Sequence, residues 1–150
     1  MPPLPTARLA IVPALLAVLL LAGCGGPSEV DLAPEDNPTF GPGGGPLSPL
    51  PGDGAFEVGT EEQGGKVRLV VTFFASEEAN APLSPPPSGV SIDLALPDGS
   101  TEPVSLAPDP SDPSRFVSSP GDYQVDPLLG TLNATVGGDP VSVAFSGVRY

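Results

Sequence analysis

Apolar and polar positions divide the chain into three regimes. Residues 9–21 are apolar with a single proline break, residues 25–54 show no period, and from Ala55 to Tyr150 short runs alternate apolar with polar residues. Alternation with period two is the signature of strands whose faces meet different surroundings. Val67, Leu69, Val71 and Phe73 alternate with Arg68 and Thr72, while Val70 and Phe74 add apolar groups to the second face. This predicts a central strand.

Val90, Ile92, Leu94 and Leu96 alternate with Ser91, Asp93 and Ala95, and Pro97-Asp98-Gly99-Ser100 turns the chain toward Val104 and Leu106. Asp-Gly between alternating runs predicts a hairpin, because both residues tolerate positive φ. Leu132, Ala134 and Val136 lead into Gly137-Gly138, and Val141, Val143 and Phe145 return as a second hairpin. The apolar parity then shifts to Val148 and Tyr150 across Ser146-Gly147, which predicts a bulge. Shorter strands are expected near Phe56–Val58, Arg115–Val117 and Tyr123–Val125. Ser76–Gly89, with Pro82, Pro85, Pro86 and Pro87, is too long for a tight hairpin and is expected to cross between sheets. Its prolines are expected to discourage edge-to-edge pairing. Seven or eight short strands without a helical run predict an all-β, immunoglobulin-like antiparallel β-sandwich over residues 55–150.

The first regime reads differently. Arg8 and the amino terminus supply positive charge, Leu9 to Leu21 an apolar core, and Ala22-Gly23 small residues, which is the layout of a secretory signal. Pro13 interrupts the run and Cys24-Gly25-Gly26-Pro27 ends it short of the roughly 20 residues a spanning helix needs. Leu21-Ala22-Gly23-Cys24 resembles the lipobox of bacterial lipoproteins. That resemblance implies cleavage between Gly23 and Cys24, a diacylglyceryl group on the Cys24 sulfur and usually an acylated new terminus. Two or three acyl chains, at about 0.8 kcal/mol per buried methylene, hold a protein durably on a membrane. Residues 1–23 are then a lipoprotein signal peptide, and the location implied is the cell envelope, inner or outer membrane left open.

Half of residues 25–54 are Gly or Pro, and Glu29, Asp31, Glu35, Asp36 and Asp53 face no cation. Such a segment buries too little surface to offset its ordering entropy. Residues 24–54 are therefore expected to be a lipid anchor and disordered tether, with a reach on the order of 30 Å. Docking of a partner on its proline-rich part is the competing reading. The later domain resembles small lipoproteins of planctomycete-type bacteria, through Pro97-Asp98-Gly99, Ser114-Arg115-Phe116-Val117, Pro120-Gly121-Asp122-Tyr123 and Gly138-Asp139-Pro140-Val141-Ser142-Val143. The resemblance implies an exported β module and brings no catalytic residue.

Charge and composition narrow the partners. After Cys24 becomes the first residue, four basic side chains face eighteen acidic ones, a formal charge of −14. That surface repels nucleic acid and anionic headgroups, so membrane contact falls to the lipid on Cys24. With one cysteine no intrachain disulfide forms, and the fold depends on its apolar core. Histidine is absent, which removes the usual general base and the usual zinc ligand.

Lys66 is the side-chain amine left to activate a serine, and its solvated-surface role outweighs a catalytic one. Glu61-Glu62 and Glu77-Glu78 lie in turn-like segments and are assigned no acid/base role. The acidic loop with Asp109 and Asp112, together with Asp122 and Asp126, is the candidate cation site if the sandwich gathers those loops at one end, since carboxylate oxygens suit calcium. Turn formation by the same residues is the plainer reading. Asn133-Ala134-Thr135 fits a glycosylation sequon inside an expected strand, where filling a polar face is the plainer role. The expectation is a non-enzymatic, lipid-anchored envelope module without a cofactor, with an envelope protein as partner and any small-molecule ligand undetermined. Cation binding by the acidic loops is the alternative.

Overall fold

A computed structural model of the chain describes residues 39–123 and 125–147. Among these residues there is no helix, and nine strands form two antiparallel sheets. The first sheet orders β1 (Leu47–Pro49), β2 (Ala55–Gln63), β3 (Lys66–Phe74), β7 (Asp112–Val117) and β6 (Ala107–Asp109) side by side. The second orders β5 (Thr101–Ser105), β4 (Ser88–Ala95), β8 (Leu129–Val136) and β9 (Asp139–Ser146). In the immunoglobulin scheme of ABED against CFG, β2, β3, β7 and β6 take the first set of places and β4, β8 and β9 the second. β5 extends the second sheet where variable-type domains place C′. The fold is the expected all-β sandwich.

The core follows from strand parity. Phe56 and Val58 on β2, Leu69, Val71 and Phe73 on β3, and Phe116 on β7 face Val90, Ile92 and Leu94 on β4, Leu132 and Ala134 on β8, and Phe145 on β9. Phe73 meets Phe116 edge-on at 5.5 Å, and Phe56 meets Phe145 edge-on at 6.4 Å, so one aromatic chain ties both sheets. The hairpins β4–β5 and β8–β9 form where the alternating runs placed them. Gly137 and Gly138 turn the second at φ 61° and 97°, a conformation open to glycine without a Cβ penalty. Ser76–Gly89 carries the chain from β3 in one sheet toward β4 in the other, as expected for a crossover.

Several expectations are corrected. The tether was expected to run to Gly54, yet Leu47–Pro49 pair with Ala55–Glu57, Leu50 is buried, and Phe40 bridges Pro46. Residues 39–54 therefore belong to the sandwich, and Cys24 through Pro38 lie outside the described residues. A three-residue strand is too short to carry a period, which is why the sequence pattern missed it. β2 continues to Gln63 because its pairing with β3 outweighs the weak strand propensity of Gly59-Thr60-Glu61-Glu62.

Tyr123 and Val125 join no strand. Val125 is buried in the core, and the Tyr123 hydroxyl donates to the Ser119 carbonyl at 2.9 Å. This is a tyrosine corner between β7 and β8, the place that corresponds to the E–F corner of the immunoglobulin scheme. Gly121 permits it, since a Cβ there would stand 2.9 Å from the tyrosine ring. The β8–β9 register runs without a shift through Leu129 and Ser146, and the expected parity change at Val148 and Tyr150 lies outside the described residues. Prolines also lie on the sheet edges themselves. Each of the four edge strands carries its own proline, at Pro49, Pro103, Pro108 and Pro140.

Candidate binding groove

The four aspartates of the expected cation site are not gathered. Asp109 and Asp112 flank the β6–β7 turn, where Asp109 Oδ1 accepts from the Ser111 amide and hydroxyl and Asp112 Oδ1 from those of Ser114. These bonds hold both carboxyls below the usual range, through the serine hydroxyl first and its amide second. Asp122 pairs with Lys66 at 3.5 Å, at the start of β3. Asp112 lies beyond the other end of β3, because Thr72 registers with Arg115 and β7 runs antiparallel to it. Nine strand residues at about 3.3 Å each put roughly 25 Å between the two ends. Asp126 precedes Leu128 and the start of β8, away from the β6–β7 turn. Among the described residues no group of three or more carboxylates could hold a metal ion. The sandwich separates loops that the cation reading needed together.

The other candidates are also placed. Lys66 is exposed and paired with Asp122, also exposed. Glu61 and Glu62 are neighbours on one strand and so point to opposite faces of β2. Asn133 Nδ2 donates to Asp93 Oδ2 at 2.9 Å and Asn133 Oδ1 accepts from Ser142 Oγ at 2.8 Å, so the sequon asparagine fills a polar ladder across the second sheet. Gly23 and Cys24 lie outside the described residues.

A different site emerges on the outer face of the first sheet. Residues of β2, β3 and β7 that point away from the core form the floor of an open groove of about 810 Å³. Val70 and Phe74, the apolar residues on the second face of β3, lie in that floor beside Thr72, and Gly59 opposite Val70 contributes no side chain to fill it. One wall is the Pro42-Gly43 turn; the other is the crossover at Ala79–Pro82 with Pro113 and Ser114.

Two charged constellations frame the groove. Glu57 is buried at 4% exposure, and its carboxylate accepts from the Gly45 amide at 2.5 Å and the Gly43 amide at 3.2 Å. The glycine-rich tract is thereby folded around one carboxylate. On the same face Glu61 Oε2 accepts from Arg68 Nε at 3.0 Å and Nη2 at 2.5 Å, and Glu61 Oε1 accepts from Arg115 Nη2. Burial opposes ionisation of Glu61, but the hydrogen bonds and charges of Arg68 and Arg115 outweigh it and hold the carboxyl below the usual range. Two guanidinium groups share one carboxylate, and Arg115 also lies within electrostatic reach of Asp112 on the groove wall. The apolar second face of β3 was the one signal in the sequence that pointed here. Arg68, Arg115 and Glu61 are 7 and 54 residues apart along the chain in their two bonded pairs, and only strand pairing unites them.

No protein-family model, curated protein or solved structure matches this chain.

Proposed function

We propose that this chain is a lipid-anchored cell-envelope protein whose β-sandwich is a non-enzymatic binding module working through the groove on its first sheet. The groove carries the binding part of the reading, because it joins the apolar side chains of Val70 and Phe74 to the polar groups of Thr72, Asn80, Ser114 and Arg115 in one open cleft. The lipobox-like Leu21-Ala22-Gly23-Cys24 supports the anchor and the envelope location. With residues 39–54 in the sandwich, what is left of the expected tether, residues 24–38, lies outside the described residues.

The two parts are tested separately. Cys24→Ser should abolish incorporation of labelled fatty acid and leave an uncleaved precursor; labelled Cys24→Ser protein would refute the anchor. A photo-crosslinking residue at Asn80, on the groove wall, should give a discrete adduct in intact cells, while the same residue at Thr131, on the outer face of the second sheet, should not. Adducts at Thr131 alone, or at neither position, would refute the groove.

A further inference from the structure

The four sheet edges are protected unequally. β1 and β6 have three residues each and β5 has five with Pro103 at its centre, whereas β9 has eight and its one proline is second in the strand. The hairpin turn decides which backbone groups of β9 are free. A two-residue loop with both glycines at positive φ closes on a mutually hydrogen-bonded pair, here Val136 and Asp139. Direction alternates from there, so Val141, Val143 and Phe145 bond to β8, while Pro140, Ser142, Ala144 and Ser146 turn their backbone groups to the edge. Pro140 fits this assignment, since its missing N–H falls where no ladder bond is lost.

Ser142, Ala144 and Ser146 thus present an uninterrupted row of donors and acceptors, and no described residue pairs with them along that edge. Their side chains are small and exposed, and Val141 and Val143 beside them are only partly buried. β1 approaches β9 from the facing sheet and does not extend the ladder. Residues 141–146 carry neither charge nor proline, the usual devices against strand addition.

We propose that the β9 edge is a strand-addition site for an extended, basic segment of an envelope protein. Main-chain bonds to Ser142, Ala144 and Ser146 supply the affinity, and alternate side chains of the guest cover Val141 and Val143. Charge selects the guest: residues 39–147 hold fourteen acidic and three basic side chains, a formal charge of −11, and Arg68 and Arg115 are already bound to Glu61. The same charge opposes a second copy of this chain at the edge.

The test uses the full-length protein and a nine-residue synthetic peptide alternating valine with lysine and threonine. Binding should protect the amides of Ser142, Ala144 and Ser146, leave those of Val141 and Val143 unchanged, and weaken with salt. Ala144→Pro, which removes an edge donor and no β8 bond, should lower affinity at least tenfold. A peptide N-methylated at alternate residues should lose as much, which keeps the test valid if the proline variant folds poorly. No binding at millimolar peptide, equal binding of the N-methylated peptide, or equal binding of a glutamate-for-lysine peptide would each overturn the proposal. So would concentration-dependent dimerisation through the same amides, which would make the guest a second copy.

Discussion

Glu57 is the residue whose removal should release residues 39–47 from the sandwich. Its carboxylate is buried and closes the Gly41–Gly45 turn by accepting from the amides of Gly45 and Gly43. Gly43 is exposed, so water replaces its bond when the side chain is cut back, whereas the Gly45 amide is buried. A hydrogen bond to a charged group contributes about 1.5–3 kcal/mol. Counting the Gly45 bond alone, Glu57→Ala should lower the free energy of opening residues 39–47 by about 2 kcal/mol. At a factor of ten per 1.4 kcal/mol, that is roughly 30-fold faster amide exchange. The informative amides are Gly45 and Leu47, the latter bonded to the Thr39 carbonyl at 2.7 Å. Ile92, deep in the core, reports global unfolding and should change far less. Glu57→Gln keeps one acceptor oxygen and should fall between wild type and Ala. Less than threefold acceleration at Gly45 and Leu47, or equal acceleration at Ile92, would refute the clamp.

Three further outcomes follow from the same geometry. The folded pKa of Glu61 is lowered by Arg68 and Arg115 against its burial, so its contribution is present above the unfolded value of about 4.3 and is lost as pH falls through the folded value. Chemical denaturation should therefore show wild type more stable than Glu61→Gln by about 0.5–1 kcal/mol at pH 7, given the exposure of the pair, with the gap closing below about pH 4; a gap that widens on acidification would contradict this. Tyr123→Phe removes the bond to the Ser119 carbonyl and should cost about 1 kcal/mol with the fold retained, read by thermal unfolding and circular dichroism. Gly130→Ala should cost about 1–3 kcal/mol by the same measurements, because a Cβ there would stand 2.6 Å from the Asp93 carbonyl and 3.1 Å from the Phe145 ring.

Strand positions with a strict period were legible because burial on one face of a sheet leaves a mark at every second residue. β3, β4 and β8 appeared in the sequence for that reason, and Gly99 and Gly137-Gly138 marked their turns because few residues accept positive φ. β1 and β6 left no such mark, since three residues cannot display an alternation. Gly25 to Gly54 looked uniform in composition, although its second half is held by partners beyond it: Glu57 for the turn and Ala55–Glu57 for β1.

Local chemistry thus determined an all-β domain and the location of its main hairpins. Tertiary structure decided which charges meet. It separated Asp112 from Asp122 by the length of β3, brought Arg115 to Glu61 across 54 residues of chain, and left the outer edge of β9 without a strand partner among the described residues. A single residue's neighbours along the chain set its backbone conformation, whereas a carboxylate's counter-ion is set by strand order and register, which no local pattern encodes.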